Sequence, residues 1–221
     1  MTPFHYRILF AKTEAMRFTG HLDLHRAWER LARRARLPLA YTAGYHPHPR
    51  IQIGAAVPLG VTGEYELVDL GLDEEKPAEE VTRDLAAHAP PGIAIRRAML
   101  LAPDARGLEV LIVAGDYSVA SLGGDWPPDL PQRIAALLAS DTLPRERRGK
   151  TYDLRPRILT LALEGGTLEM RLRLEPEATG RPDEVLSALA LDDVATTACR
   201  TRLLMKTASD ALRGTDEPEI H

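Results

Sequence analysis

Phe4, Tyr6, Ile8 and Phe10 alternate with His5, Arg7 and Leu9, the period-two pattern of a strand with one face well buried. In the following HLDLHRAWERLARRA, Leu24, Trp28, Leu31 and Ala35 recur at i, i+4, i+7 and i+11. They share one stripe of a helix predicted from about His21 to Ala35, with Thr19 or Gly20 able to cap it. Pro38 ends that helix. LPLAYT and IQIGAAVPL are extended runs on either side of the turn-rich AGYHPHPR, and either can supply the next strand. EYELVDLGL then alternates as a strand, PAEEVTRDLAAHA carries Pro and acids at the start of a helix, and GIAIRRAML closes as a strand.

After PDARG, at Pro103 to Gly107, the same order returns without recognisable sequence identity. LEVLIVAGDYSVASL reads as a strand with a bulge at Gly115, and DLPQRIAALLAS as a helix. ILTLALE and TLEMRLRLE flank Gly165 and Gly166 as a hairpin. A helix at RPDEVLSALAL and a strand at ATTACRTRLLM complete the half. The expected fold is therefore α+β, two tandem ferredoxin-like (βαββαβ) units over 1–103 and 108–206, followed by a flexible acidic tail at 207–221. Two helices cover only one face of each four-stranded sheet, so the other face is expected to meet its sister unit. The aromatic pattern that lets an open sheet stack bases is missing, which leaves any RNA contact to loops and helix faces.

Composition narrows the class. A chain of 221 residues that is 44% hydrophobic can fill two small cores. Its apolar runs fall short of the roughly 20 residues a membrane span needs, and the opening lacks a signal peptide's order of parts, so a cytoplasmic location is expected. A single cysteine, Cys199, cannot form an internal disulfide, a four-cysteine zinc site or the three-cysteine loop of a radical-generating iron–sulfur cluster. No cofactor is expected. The net charge of −4 conceals a segregation: between Met1 and Gly60 nine basic residues face three acids.

Arg26, Arg30, Arg33 and Arg34 lie opposite the apolar stripe of the first helix and form a one-sided basic rod suited to phosphates or to an acidic partner. A second basic segment, Asp141 to Arg157, holds Arg145, Arg147, Arg148 and Lys150 and reads as a long polar loop able to follow a nucleic-acid backbone. His21 and His25 share a helix side, while the prolines of YHPHPR hold His46 and His48 extended. A third named metal ligand is missing, so no metal is expected. His21 or His48, with Lys12 or Tyr45, are the candidates for acid–base cleavage of RNA, but no nucleophile with an adjacent base and no carboxylate pair can be read. An enzymatic role for the chain on its own is not favoured.

The run RFTGHLDLHRAWERLARRARLPLAYTAGYHPHPRIQIGAAVPLGVTGEYELVDL resembles the opening of the radical-SAM-associated family of unknown function. The resemblance rests on Arg17, Phe18, His21, Leu22, Asp23, Arg26, Pro38, Gly44, Pro47, His48, Pro49, Leu59, Gly60, Glu64 and Tyr65 and spans about the first 70 residues. The chain departs from that pattern at His25 and His46. Members occur alone or fused behind a cobalamin-binding radical SAM domain, and from the lone Cys199 the free-standing form is expected here, with any radical chemistry in a separate protein. Joined to the two basic segments, which suit phosphates, the resemblance leads to the expectation of an RNA-binding accessory protein working with such an enzyme. Its RNA or partner contacts would come from Arg17, His21, Asp23, Tyr45, His46, His48, Arg50 and the two basic segments. The alternatives are an adaptor that docks the enzyme without RNA, and a metal-independent endoribonuclease using His21 and His48.

Overall fold

A computed structural model describes residues 3–147, 149–175, 179–206 and 212–215. The first half runs β1 (Phe4–Lys12), α1 (His21–Arg34), β2 (Ile51–Ile53), β3 (Val61–Leu72), α2 (Ala78–His88) and β4 (Ile93–Leu100). The second runs α3 (Leu108–Leu111), β5 (Ile112–Ser121), α4 (Leu130–Ala139), β6 (Pro144–Arg147), β7 (Lys150–Asp153), β8 (Ile158–Glu164), β9 (Thr167–Arg173), α5 (Pro182–Ala188), β10 (Thr196–Lys206) and β11 (Leu212–Gly214). These make a mixed α+β fold around a large, mostly antiparallel sheet in the order β4-β1-β3-β10-β5-β9-β8, with β2 on β3 and β11 on β10. No helix among the described residues is long and apolar enough to cross a membrane.

The alternation read in the opening residues places Tyr6, Ile8 and Phe10 against α1 and α2. Trp28 is fully buried there, its ring 4.9 Å edge-on from Phe10, with Leu24 and Leu31 beside it. A second core joins α4 and α5 to Tyr117, Val119, Leu168, Met170 and Leu172. Both extended runs flanking the YHPHPR segment lie along the same edge of β3: Leu39 bridges Leu72 and Ile51 pairs with Leu70, so residues 41–49 are an excursion from one interrupted strand.

The halves join through the sheet as well as across it. β10 runs parallel to β3 only at Ala198–Arg200, opposite Val61–Gly63. Beyond a register shift at Arg200/Arg202 it diverges, and Leu203 and Met205 pack with Leu9 and Leu67 on the face that α1 and α2 leave uncovered. The bulge expected at Gly115 thus sits on the partner strand, where the extra residue Thr201 turns β10 over the first half. Arg200, fully buried, closes this joint with two bonds to the Glu66 carboxylate, at 2.8 and 2.5 Å, and two to the Ala55 and Ala56 carbonyls, at 3.0 and 3.2 Å.

Three expectations need correction. Residues 212–215 are not a free tail: β11 pairs with β10, and the buried Thr215 hydroxyl accepts from the Leu203 amide at 2.9 Å and donates to the Tyr65 carbonyl at 2.8 Å. They cover the edge of β10 that β3 abandons; 207–211 and 216–221 lie outside the described residues. The stretch predicted as a basic loop is a hairpin, β6 on β7, turned by Gly149 at φ +74° and followed by a 3-10 turn at Arg155–Arg157. The strand expected from Leu108 begins at Ile112, after the single helical turn of α3.

Candidate nucleic-acid interface

α1 starts from an extended Gly20 and ends where Arg36, at φ 54°, lets the Leu37 amide reach back to the Ala32 carbonyl at 3.1 Å. Its buried stripe is Leu24, Ala27, Trp28, Leu31 and Ala32, so Arg26, Arg30, Arg33, Arg34 and Arg36 all face outward. Arg26 pairs with Asp23 at 3.2 Å and Arg33 with Glu29 at 2.9 Å. Exposed pairs of this spacing contribute only about 0.3–0.5 kcal/mol each, so an incoming phosphate competes with them easily. Arg30 and Arg34 have no ion-pair partner among the described residues.

Beyond the helix, Tyr41 bridges Pro49 and closes the neck of the 41–49 excursion. The Thr42 amide donates to the His48 carbonyl at 2.8 Å, and the His48 amide to the Thr42 hydroxyl at 3.0 Å. Gly44, at φ +128°, turns the tip, where Tyr45 is 94% exposed with its ring 5.0 Å from that of His46. α1 is tied to the base of this excursion by His25, whose Nε2 donates to the Ile51 carbonyl at 3.2 Å. That bond occupies one of the four clustered histidines. Desolvation, aided by the nearby His25, holds the His21 imidazole below its ordinary pKa. No hydrogen bond or ring contact joins His21 to His48, and no group of three or more His, Cys, Asp or Glu among the described residues is placed to hold a metal.

Other predicted contacts are committed to the fold. The Arg17 guanidinium donates to the carbonyls of Gly60 at 2.7 Å and Thr196 at 3.3 Å and pairs with Glu14 at 3.3 Å. The Phe18 ring lies 5.4 Å from the Arg17 guanidinium and is exposed, as are Leu22 and Leu59. Arg147 pairs with Glu184 at 3.4 Å and, like Arg157, lies over the Tyr152 ring. Arg145 donates to the carbonyl of its neighbour Pro144 at 2.9 Å, Lys150 is exposed, and Arg148 lies outside the described residues.

Sequence reasoning missed a pocket of about 360 Å³ at the base of the 41–49 excursion. It lies on the face of the first-half sheet opposite α1, between His5, Asp69 and Gly71, the neck residues Thr42, Pro49, Arg50 and Gln52, and the connection Leu101–Gly107. At its floor the buried Arg7 holds Asp69 through two bonds, at 2.9 and 2.8 Å, and donates to the Arg106 carbonyl at 3.0 Å, pinning the connection down as a wall. Burial pushes the Asp69 carboxyl above its usual range, although Arg7 opposes it. The available signal was the pairing itself: an arginine and an aspartate stand at opposed inward positions of two apolar strands.

The chain belongs to a family described as an uncharacterized protein conserved in bacteria (DUF2344), whose pattern matches residues 5–182. No curated protein matches it. A crystal structure of an unknown protein from Galdieria sulphuraria aligns over 90% of this chain and 98% of that one, at 11% identity and a TM-score of 0.28, too low to bear on fold or function.

Proposed function

We propose that this chain is an RNA-binding accessory protein that works beside a separate cobalamin-binding radical SAM enzyme, and that its halves are two ferredoxin-like units. The strand orders β4-β1-β3-β2 and β10-β5-β9-β8, each with two helices on one face, support the unit assignment. The radical SAM partner rests on the resemblance carried by residues between Arg17 and Tyr65. The observation that carries the RNA reading is the outward row on α1, with Arg30 and Arg34 uncommitted, next to an excursion that presents Tyr45 to solvent. Successive arginines one helical turn apart, about 5.4 Å, can follow successive phosphates, and an exposed aromatic ring can stack an unpaired base.

RNA binding measured over a salt series, for the wild type and for the paired variant Arg30→Gln/Arg34→Gln, tests this. Affinity should fall log-linearly with salt, and the variant should flatten the slope by about one to two, the release expected from losing two phosphate contacts. Wild-type RNA affinity that is absent or indifferent to salt would sink the reading. The exposed Phe18, Leu22 and Leu59 favour a second reading, an adaptor that docks the enzyme without RNA. In that case the variant keeps its weak RNA behaviour, while Phe18→Ser/Leu59→Ser abolishes capture of the enzyme.

A further inference from the structure

We infer that the pocket between the 41–49 excursion and the Leu101–Gly107 connection takes one splayed-out nucleotide, with guanine as its base. The inference rests on the RNA reading and names what that surface reads.

The cavity, about 360 Å³, lies in the range that holds a small ligand and is large enough for a base with its sugar. Its polar groups are divided. At the rim stand the exposed residues Arg50, whose Nε donates to the Tyr41 carbonyl at 3.4 Å, and Arg106, with His5 beside them, which suit a phosphate. At the floor stands the Asp69 carboxylate, 9% exposed. Arg7 takes one lone pair of each of its oxygens, and an ionised carboxylate has about four such sites, so acceptor capacity remains.

An acceptor-only floor selects among bases by chemistry. Guanine presents two donors side by side, N1–H and the N2 amino group. Adenine and cytosine set one amino donor beside a ring nitrogen that would face a carboxylate oxygen, and uracil sets one N–H between two carbonyls. The site is also built around its rim. A Cβ on Gly71 would meet the Arg50 side chain at 2.9 Å, so glycine there is what lets the Arg50 stem lie across the sheet toward the pocket. Arg7 holds floor and wall together, since the guanidinium that orients Asp69 also holds the Arg106 carbonyl.

The test is titration of the full chain with GMP, AMP, CMP and UMP, followed through the backbone amides of Arg50, Gly71 and Gly107 by NMR. GMP should bind roughly ten- to a hundred-fold more tightly than the other three, the discrimination of one good bidentate base contact. Arg50→Gln and Arg106→Gln should weaken all four by similar factors, and Asp69→Asn should erase the preference for GMP. Should Asp69→Asn fail to fold for want of a counterion to Arg7, the rim variants and Gly71→Ala, which displaces Arg50, carry the test. Pocket amides that none of the four nucleotides moves, or GMP affinity indifferent to Arg50→Gln and Arg106→Gln, would overturn the assignment. A parallel arm uses single-stranded RNA with and without guanosine. RNA bound through α1 with a silent pocket ends this inference and leaves the RNA reading standing. GMP bound in the pocket with no RNA bound makes the ligand a free nucleotide and ends the RNA reading instead.

Discussion

Two arginine-rich segments, α1 and the stretch from β6 to the turn at Arg155–Arg157, have similar composition and opposite fates. On α1 the apolar residues fall at helical spacing, so burying Trp28 and Leu31 turns every arginine toward water, and among the described residues their ion pairs are the short ones with Asp23 and Glu29. In the hairpin the period is two, and the inward side of a thin, two-stranded ribbon must be filled by whatever stands there. Arg147 and Arg157 cover the Tyr152 ring, and Arg155 donates to the Leu138 and Ile158 carbonyls at 3.0–3.2 Å. Arginine density therefore does not mark a binding surface. Local periodicity decides instead which guanidiniums stay open to solvent once the apolar side is buried.

Substitutions can break or sharpen this contrast. The largest effect is expected at Arg200, the extreme of an arginine used by the fold. Arg200→Met strands the Glu66 carboxylate in the interior and should cost about 3–5 kcal/mol, read as a lower denaturant midpoint, while Arg200→Met/Glu66→Leu recovers much of it. Arg155→Gln comes next. Leaving the part-buried Leu138 and Ile158 carbonyls without this donor should cost about 1 kcal/mol and leave RNA affinity unchanged, and a loss of RNA affinity without a loss of stability would erase the contrast.

A smaller effect is expected at Lys12, whose amine is pushed down to about 8 by burial, which the Glu66 charge only partly offsets. Because the unfolded chain holds this proton up to about pH 10.4 and the folded chain releases it near 8, the penalty is fully present below 8 and fades as pH rises between the two. Relative to Lys12→Met, the wild type should gain stability from pH 8 to 10 in chemical denaturation. A constant difference would mean that the amine is not desolvated. Least of all, Arg30→Gln/Arg34→Gln should stay within about 0.5 kcal/mol of the wild type in stability, even as its RNA binding weakens.

Elements whose signal is local were legible: the stripe of α1, the alternation of β1, the Gly165–Gly166 hairpin and the mixed α+β class. What the sequence hid depends on residues far apart. The short β3–β10 pairing is set by where Thr201 bulges and by an ion pair between Glu66 and Arg200, and neither follows from any window of the chain. The order of Leu212–Gly214 depends on an edge that exists only after β10 diverges from β3. For the candidate site, the exposure of the α1 arginines followed from periodicity. The commitment of Arg17 to the Gly60 and Thr196 carbonyls did not, nor did the pocket, whose walls come from His5, Arg50, Asp69 and Arg106.

The Glu66–Arg200 pair also constrains how the chain is made. The two residues are 134 positions apart, so when Glu66 leaves the ribosome Arg200 has not yet been synthesised, and the nearby cation already made is Lys12. At about 5–20 residues per second the wait is roughly 7–27 seconds, long compared with the folding of small domains. Throughout it, the nascent first half must keep a carboxylate hydrated at a position that becomes water-free only when β10 arrives, and it carries an uncovered β3 edge next to that carboxylate. A charge at this place keeps the unfinished sheet wet and discourages pairing with another nascent chain until the correct strand brings the arginine that neutralises it.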